Sequence, residues 1–140
     1  MARSGLKRVR TVAALRAAVA RLRARRDSVA FVPTMGAIHA GHLSLVTRAR
    51  ASADHVVASI FVNPLQFGAN EDLARYPRPI VHDRAVFAQA GVDLLWEPQV
   101  TDIYPEGDRT RIVVEGLSDV LEGALRPGHF VGVTDRKSVV

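Results

Sequence analysis

Three short apolar runs, each closed by a proline, are separated by stretches whose apolar residues recur at helical spacing. That alternation restricts the chain to a parallel α/β arrangement joined by right-handed crossovers. The runs are "SVAFVP" (28–33), "HVVASIFVNP" (55–64) and "VDLLWEP" (92–98), and "RTRIVVEG" (109–116) is a fourth strand candidate. Between the first two, a helix is expected from about 41 to 53, with Leu43, Val46 and Ala49 on one face. A second helix is expected over 83–91, capped by Asp83 and stopped by Gly91, and a short one over "LSDVLEGAL", capped by Ser118. "EDLARYPRP" reads as a helical turn broken by two prolines.

At 140 residues the chain is one domain's worth and apolar enough to bury a core. With no cysteine it has neither disulfides, thiolate metal sites nor cysteine nucleophiles, which makes a cytoplasmic location the simplest expectation. No stretch approaches the ~18 consecutive apolar residues of a membrane span. The net charge of +5 is unevenly placed: residues 1–26 hold nine basic side chains and no acid, while the rest is mildly acidic. "TVAALRAAVARLRARR" fits an amphipathic helix capped by Thr11, with Val12, Leu15, Val19 and Leu22 on its apolar side. This reading is preferred over a targeting peptide or an RNA-binding arm, so neither a nucleic-acid nor a membrane partner is expected.

The turn after the first run, "MGAIHAGH" (35–42), places His39 and His42 three positions apart beside Gly36 and Gly41. Open α/β sheets bind ligands beyond the carboxyl ends of their strands. Helix N-terminal amides attract phosphate, glycines let an anion approach the backbone, and imidazole donors add charge-assisted bonds. Zinc is the rival reading, but no acidic residue lies between 28 and 53 and thiolates are absent. Histidines satisfied within the structure are the plainer alternative.

"VPTMGAIHAGHLSLV" (32–46) resembles the nucleotide-binding segment of the pantothenate synthetase (pantoate–β-alanine ligase) family, and its "HAGH" is similar to the HxGH signature of the wider nucleotidylyltransferase superfamily. "SIFVNPLQF" (59–67), "YPR" (76–78), "IYPEG" (103–107) and "LEGALRPGHFVGV" (121–133) resemble further segments of that family in the same order. The resemblance implies a Rossmann-like parallel sheet with flanking helices. Residues 1–133 would be the N-terminal part of a nucleotidylyltransferase-like domain, and 134–140 a tail that does not match.

It implies an ATP-dependent ligation. Pantoate's carboxylate attacks the α-phosphate, pyrophosphate leaves, and the amine of β-alanine attacks the pantoyl adenylate, giving pantothenate and AMP. ATP would lie along Met35, Gly36, Ala37, Ile38, His39, Ala40, Gly41 and His42, with both histidines on the phosphates and His42 the proton donor. Pantoate would meet Pro33, Thr34, Met35, Asn63 and Gln66, of which Asn63 also suits an ordinary Asn-Pro turn. Asp83 matches a family position near a Mg2+ site, with the helix cap as the alternative that the residues favour. A homodimer is expected, because the first strand would lie at an open sheet edge.

Beyond "GHFVGV" the resemblance stops, and the family's "GEKD" and "SSRN" segments have no counterpart; the two lysines, Lys7 and Lys137, lie outside the matched motifs. The chain therefore reads as truncated. Three outcomes follow: the family's ligase with activity reduced or lost, a non-catalytic fragment keeping at most half of the ATP and pantoate site, or a nucleic-acid binder using the basic helix.

Overall fold

A computed structural model describes residues 5–68, 71 and 73–135. They fall into two compact units, one of Met1–Val62 with Pro77–Asp102, the other of Asn63–Tyr76 with Ile103–Val140.

The first unit is a four-stranded sheet with helices on both faces. Its strands are β1 (Lys7–Val9), β2 (Val29–Thr34), β3 (His55–Ile60) and β4 (Leu94–Trp96); its principal helices are α1 (Val12–Ala24), α2 (Ala40–Ser52) and α3 (Ile80–Ala90). All pairings are parallel in the order β1-β4-β3-β2, with Val29 opposite His55 and Val57 opposite Leu94. The parallel α/β sheet expected from the alternation, and the Rossmann-like arrangement that the resemblance implies, are what form. β2 lies at one edge of this sheet.

Two of the apolar runs make the central strands β3 and β4, covered on both faces, and the third makes the edge strand β2. Val56, Ala58 and Leu95 pack with Val46, Ala49, Phe87 and Val92 in the core that α2 and α3 complete. Val57 and Leu94 point the other way, onto Ala18, Leu15 and Val19 of α1. α1 is capped as expected, with Thr11 Oγ1 accepting from Ala14 N–H at 3.2 Å. At the amino ends of the strands, Asp54 Oδ2 accepts from both the N–H and the hydroxyl of Ser28, and His55 Nε2 meets Asp27 Oδ2 at 3.1 Å.

Several expectations are corrected. β1 was not legible: two of its three residues are basic, and it forms by docking on β4, where Lys7 N–H reaches Asp93 O and Glu97 N–H reaches Val9 O. α3 begins at Ile80, three residues earlier than expected, so Asp83 lies inside its first turn and is not its cap. Gly91 does end that helix, in the left-handed region at φ 81°.

In the second unit, "RTRIVVEG" is not a strand. A β-branched run needs a neighbouring strand to take its backbone groups. Here Ile112 N–H donates to Asp135 Oδ1 and Ile112 O accepts from Thr134 Oγ1, both on the helix His129–Asp135. The helix expected over "LSDVLEGAL" shrinks to the single turn Glu122–Leu125, and Ser118 does not cap it; its hydroxyl donates back to Val114 O. "EDLARYPRP" keeps one 3-10 turn, Leu73–Arg75. The tail expected at 134–140 lies outside the described residues from 136 onward. Among the described residues no helix is long and apolar enough to cross a membrane.

Candidate functional site

The site builds up from the carboxyl end of β2. Thr34 is buried there, its hydroxyl donating to Ser59 O of β3 at 2.7 Å and accepting from Gly36 N–H at 3.2 Å. The chain then reverses through two left-handed residues, Gly36 at φ 86° and Ala37 at φ 52°. A Cβ at Gly36 would lie 3.1 Å from Asp83 Oδ2 and 3.2 Å from Ile60 Cγ2, so glycine answers both the dihedral and the space.

Asp83 reaches this turn from α3. One carboxylate oxygen accepts from Ala37 N–H and the other from Ile38 N–H, each at 2.9 Å, and the residue is 1% exposed. Sequence reasoning offered a cap or a metal ligand; the partners are backbone amides some 45 residues away in the chain. No group of three or more His, Asp or Glu with metal-holding geometry occurs among the described residues. The described side chains thus form no cage for Mg2+.

α2 starts at Ala40 with His39 as its N-cap. His39 Nδ1 accepts from Gly41 N–H at 3.1 Å, and His42 Nδ1 accepts from His39 N–H at 3.3 Å, a reciprocal capping box built from two imidazoles. A ring nitrogen that accepts carries no proton, so both rings hold theirs on Nε2, the edge away from the backbone. The centroids are 4.0 Å apart. Burial, and then the neighbouring His39, hold the His42 pKa below its ordinary value against an opposing pull from Asp83.

The glycines were read as openings through which an anion could approach the backbone. That is corrected, since Gly36 faces Asp83 and Ile60, and the His39 ring lies over Gly41, where a Cβ would come within 2.9 Å of Cε1.

Beside the turn, a cavity of about 550 Å³ opens at the carboxyl ends of the strands, lined among others by Met35, Gly36, Phe61, Arg84 and Gln99. Arg84 forms a two-pronged ion pair with Glu97 on its wall, at 2.7 and 2.9 Å, and that bond raises the Arg84 pKa. Neither residue stood out in the sequence, where they are 13 positions apart with no shared motif. Of the remaining candidates in this unit, Pro33 is exposed, Met35 half-buried and Ile38 buried.

Asn63 and Gln66 belong to the second unit. Asn63 is buried and engaged at both ends of its amide: Oδ1 accepts from Leu65 N–H at 3.0 Å and from the Tyr104 hydroxyl at 3.2 Å, while Nδ2 donates to Gly132 O at 2.9 Å. This is the turn role weighed for it. The carbonyl of Gln66 accepts from Arg126 Nη2 and stands 2.7 Å from His129 Nδ1, and Arg126 in turn pairs with Glu71.

A profile of the Pantoate-beta-alanine ligase family matches residues 7–136. A pantothenate synthetase of Agrobacterium fabrum is 57% identical over 129 residues, 92% of this chain and 44% of that protein. One of Paramagnetospirillum magneticum is 60% identical over 125 residues, 89% of this chain and 44% of that protein. The crystal structure of pantothenate synthetase from Thermus thermophilus superposes with a TM-score of 0.86 at 56% identity, covering 94% of this chain and 46% of that one. A pantoate-beta-alanine ligase from Francisella tularensis, crystallised with beta-gamma ATP and beta-alanine, gives 0.88 at 36% identity, covering 95% and 51%. The chain thus spans about half the length of the relatives it matches.

Proposed function

The chain belongs to the pantoate–β-alanine ligase family, and from that premise we propose that it binds ATP at the turn leading into α2 and serves the formation of pantoyl adenylate. The observation that carries this is the pair of imidazoles at a helix N-terminus, His39 and His42, each anchored through Nδ1 and so presenting an Nε2–H donor away from the backbone. Such donors suit phosphate oxygens, on which charge grows as the α-phosphate is attacked.

Pantoate's carboxylate is the nucleophile, pyrophosphate the first leaving group and AMP the second, after the amine of β-alanine takes the pantoyl carbon. We assign Gln66 a contact to pantoate through its side-chain amide, in a turn shaped by Asn63. His42 is the proton donor. Its depressed pKa keeps the imidazole neutral before the nucleotide arrives, and the triphosphate's charge favours the protonated form, so its protonation is coupled to ATP binding. Mg2+ enters with ATP as the counter-ion of its phosphates.

We further propose a cytoplasmic homodimer, associating along β2, an edge strand of the sheet. Sedimentation showing only monomer at micromolar concentration contradicts that. Residues 1–133 are taken as the N-terminal part of the nucleotidylyltransferase-like domain, with 134–140 as a tail.

The test incubates the chain with ATP, Mg2+, pantoate and β-alanine, follows AMP and pantothenate, and measures ATP binding in parallel. Turnover supports the ligase, and binding without turnover supports a half-site that recognises its substrates only. Absence of both sinks the proposal.

A further inference from the structure

Five N–H groups of the turn between β2 and α2 already have side-chain acceptors. Gly36 N–H donates to Thr34 Oγ1, Ala37 and Ile38 N–H to Asp83, His39 N–H to His42, and Gly41 N–H to His39. In this turn the neighbouring N–H groups of Ala37 and Ile38 converge on one point, the kind of concave backbone nest that ordinarily receives an anion. Here a carboxylate of the same chain is seated in it.

Three features fit Asp83 for that seat. It offers two acceptor oxygens to two donors, at equal distances of 2.9 Å. It lies in the first turn of α3, where the helix dipole favours negative charge. And a residue bearing a Cβ at φ 52°, as Ala37 does, keeps that conformation only where its surroundings enforce it.

We propose that Asp83 is a positioning residue for the anion-binding turn: its carboxylate fills the nest at Ala37 and Ile38, so that an incoming anion is recognised by the Nε2–H edges of His39 and His42 and not by those amides. Asp83 touches no substrate. It acts by fixing the backbone from which both imidazoles are hung, and the nucleotide half of the inference rests on the ATP reading above.

The test uses the full chain, with amide hydrogen exchange followed by NMR and ATP as the titrant. Asp83→Asn leaves one acceptor oxygen and turns an NH2 group on the second donor. Exchange at Ala37 and Ile38 is expected to quicken at least tenfold while Val57 and Ala58 in β3 hold theirs, and ATP affinity to fall at least tenfold. Asp83→Glu, which keeps two acceptors, recovers part of that affinity; recovery in Asp83→Asn to the level of the parent overturns the inference, as does unchanged exchange at both amides. If the parent chain itself binds no ATP, the nucleotide reading fails alone, and exchange at 37 and 38 still decides the seating of Asp83. Should Asp83→Asn not fold, couplings across the hydrogen bonds from the two amide nitrogens to the Asp83 carboxylate carbon serve in the parent protein. They are expected to persist when ATP is added, and their disappearance would mean that phosphate displaces the carboxylate, which overturns the inference.

Discussion

His42 Nδ1 accepts the backbone N–H of His39 at 3.3 Å, so the residue proposed to meet a phosphate also closes the first turn of the helix that carries it. One ring has two duties on its two nitrogens, and substitutions can separate them. His42→Asn keeps an acceptor near the position of Nδ1 and is expected to stay within about 0.5 kcal/mol of the parent in denaturant titration. His42→Ala gives up the cap and should lose about 1 kcal/mol. Both should bind ATP at least tenfold more weakly, because both lack the Nε2–H donor.

The same ring sets a pH dependence. Its folded-state pKa lies below the ordinary value of 6.5, so the unfolded chain takes up the proton first as pH falls. The contribution of neutral His42 to stability is complete above pH 6.5 and is lost as pH drops through the folded-state value. Urea titrations between neutral and mildly acid pH should show this decline in the parent and a smaller one in His42→Asn. A ring titration midpoint at or above that of free histidine, without ATP, would refute it.

Gly41→Ala inverts the usual expectation for a helix. Alanine in place of glycine ordinarily gains roughly 0.5–1 kcal/mol, yet a Cβ here would stand 2.9 Å from His39 Cε1 and 3.1 Å from Nδ1. The exposed ring can swing away, at the loss of its bond to Gly41 N–H. Calorimetry should show no gain in stability, and ATP titration a several-fold loss of affinity.

Gly91→Ala tests the far end of α3. The residue is at φ 81°, and a Cβ would lie 2.1 Å from Arg50 Nη1, the atom that donates to Gly91 O at 2.6 Å. Backbone strain and the displaced guanidinium together should lower stability by about 2 kcal/mol, with an unchanged denaturant slope.

Asn63→Ala removes three hydrogen bonds from a fully buried side chain and leaves the Gly132 carbonyl and the Tyr104 hydroxyl to find other partners. A loss of about 2–3 kcal/mol is expected on unfolding. A variant as stable as the parent but defective toward pantoate would instead return Asn63 to the substrate.

What the sequence made legible follows from how each element is stabilised. "HVVASI" announces a strand because β3 is covered on both faces, leaving every position apolar or small after its leading histidine. Lys7–Val9 announces little, since only Val9 of its three side chains packs on the core and the rest of its hold is backbone pairing with β4. "RTRIVVEG" has the composition of a strand without the neighbour, a condition no local pattern encodes. At the site, the histidines and glycines were visible as a motif, whereas the purpose of Asp83 depended on a contact across some 45 residues. Helical periodicity alone could only offer it as a cap.

Because every strand of the first unit points the same way, its two rims differ in kind. Met35, Phe61 and Glu97 gather at the rim where the strands finish, while the opposite rim is knitted by Ser28 to Asp54 and by Asp27 to His55. A fluorophore or surface tether is therefore best attached near Ser52 at the close of α2, where it leaves the cavity mouth unobstructed and the recognition chemistry readable from a distance.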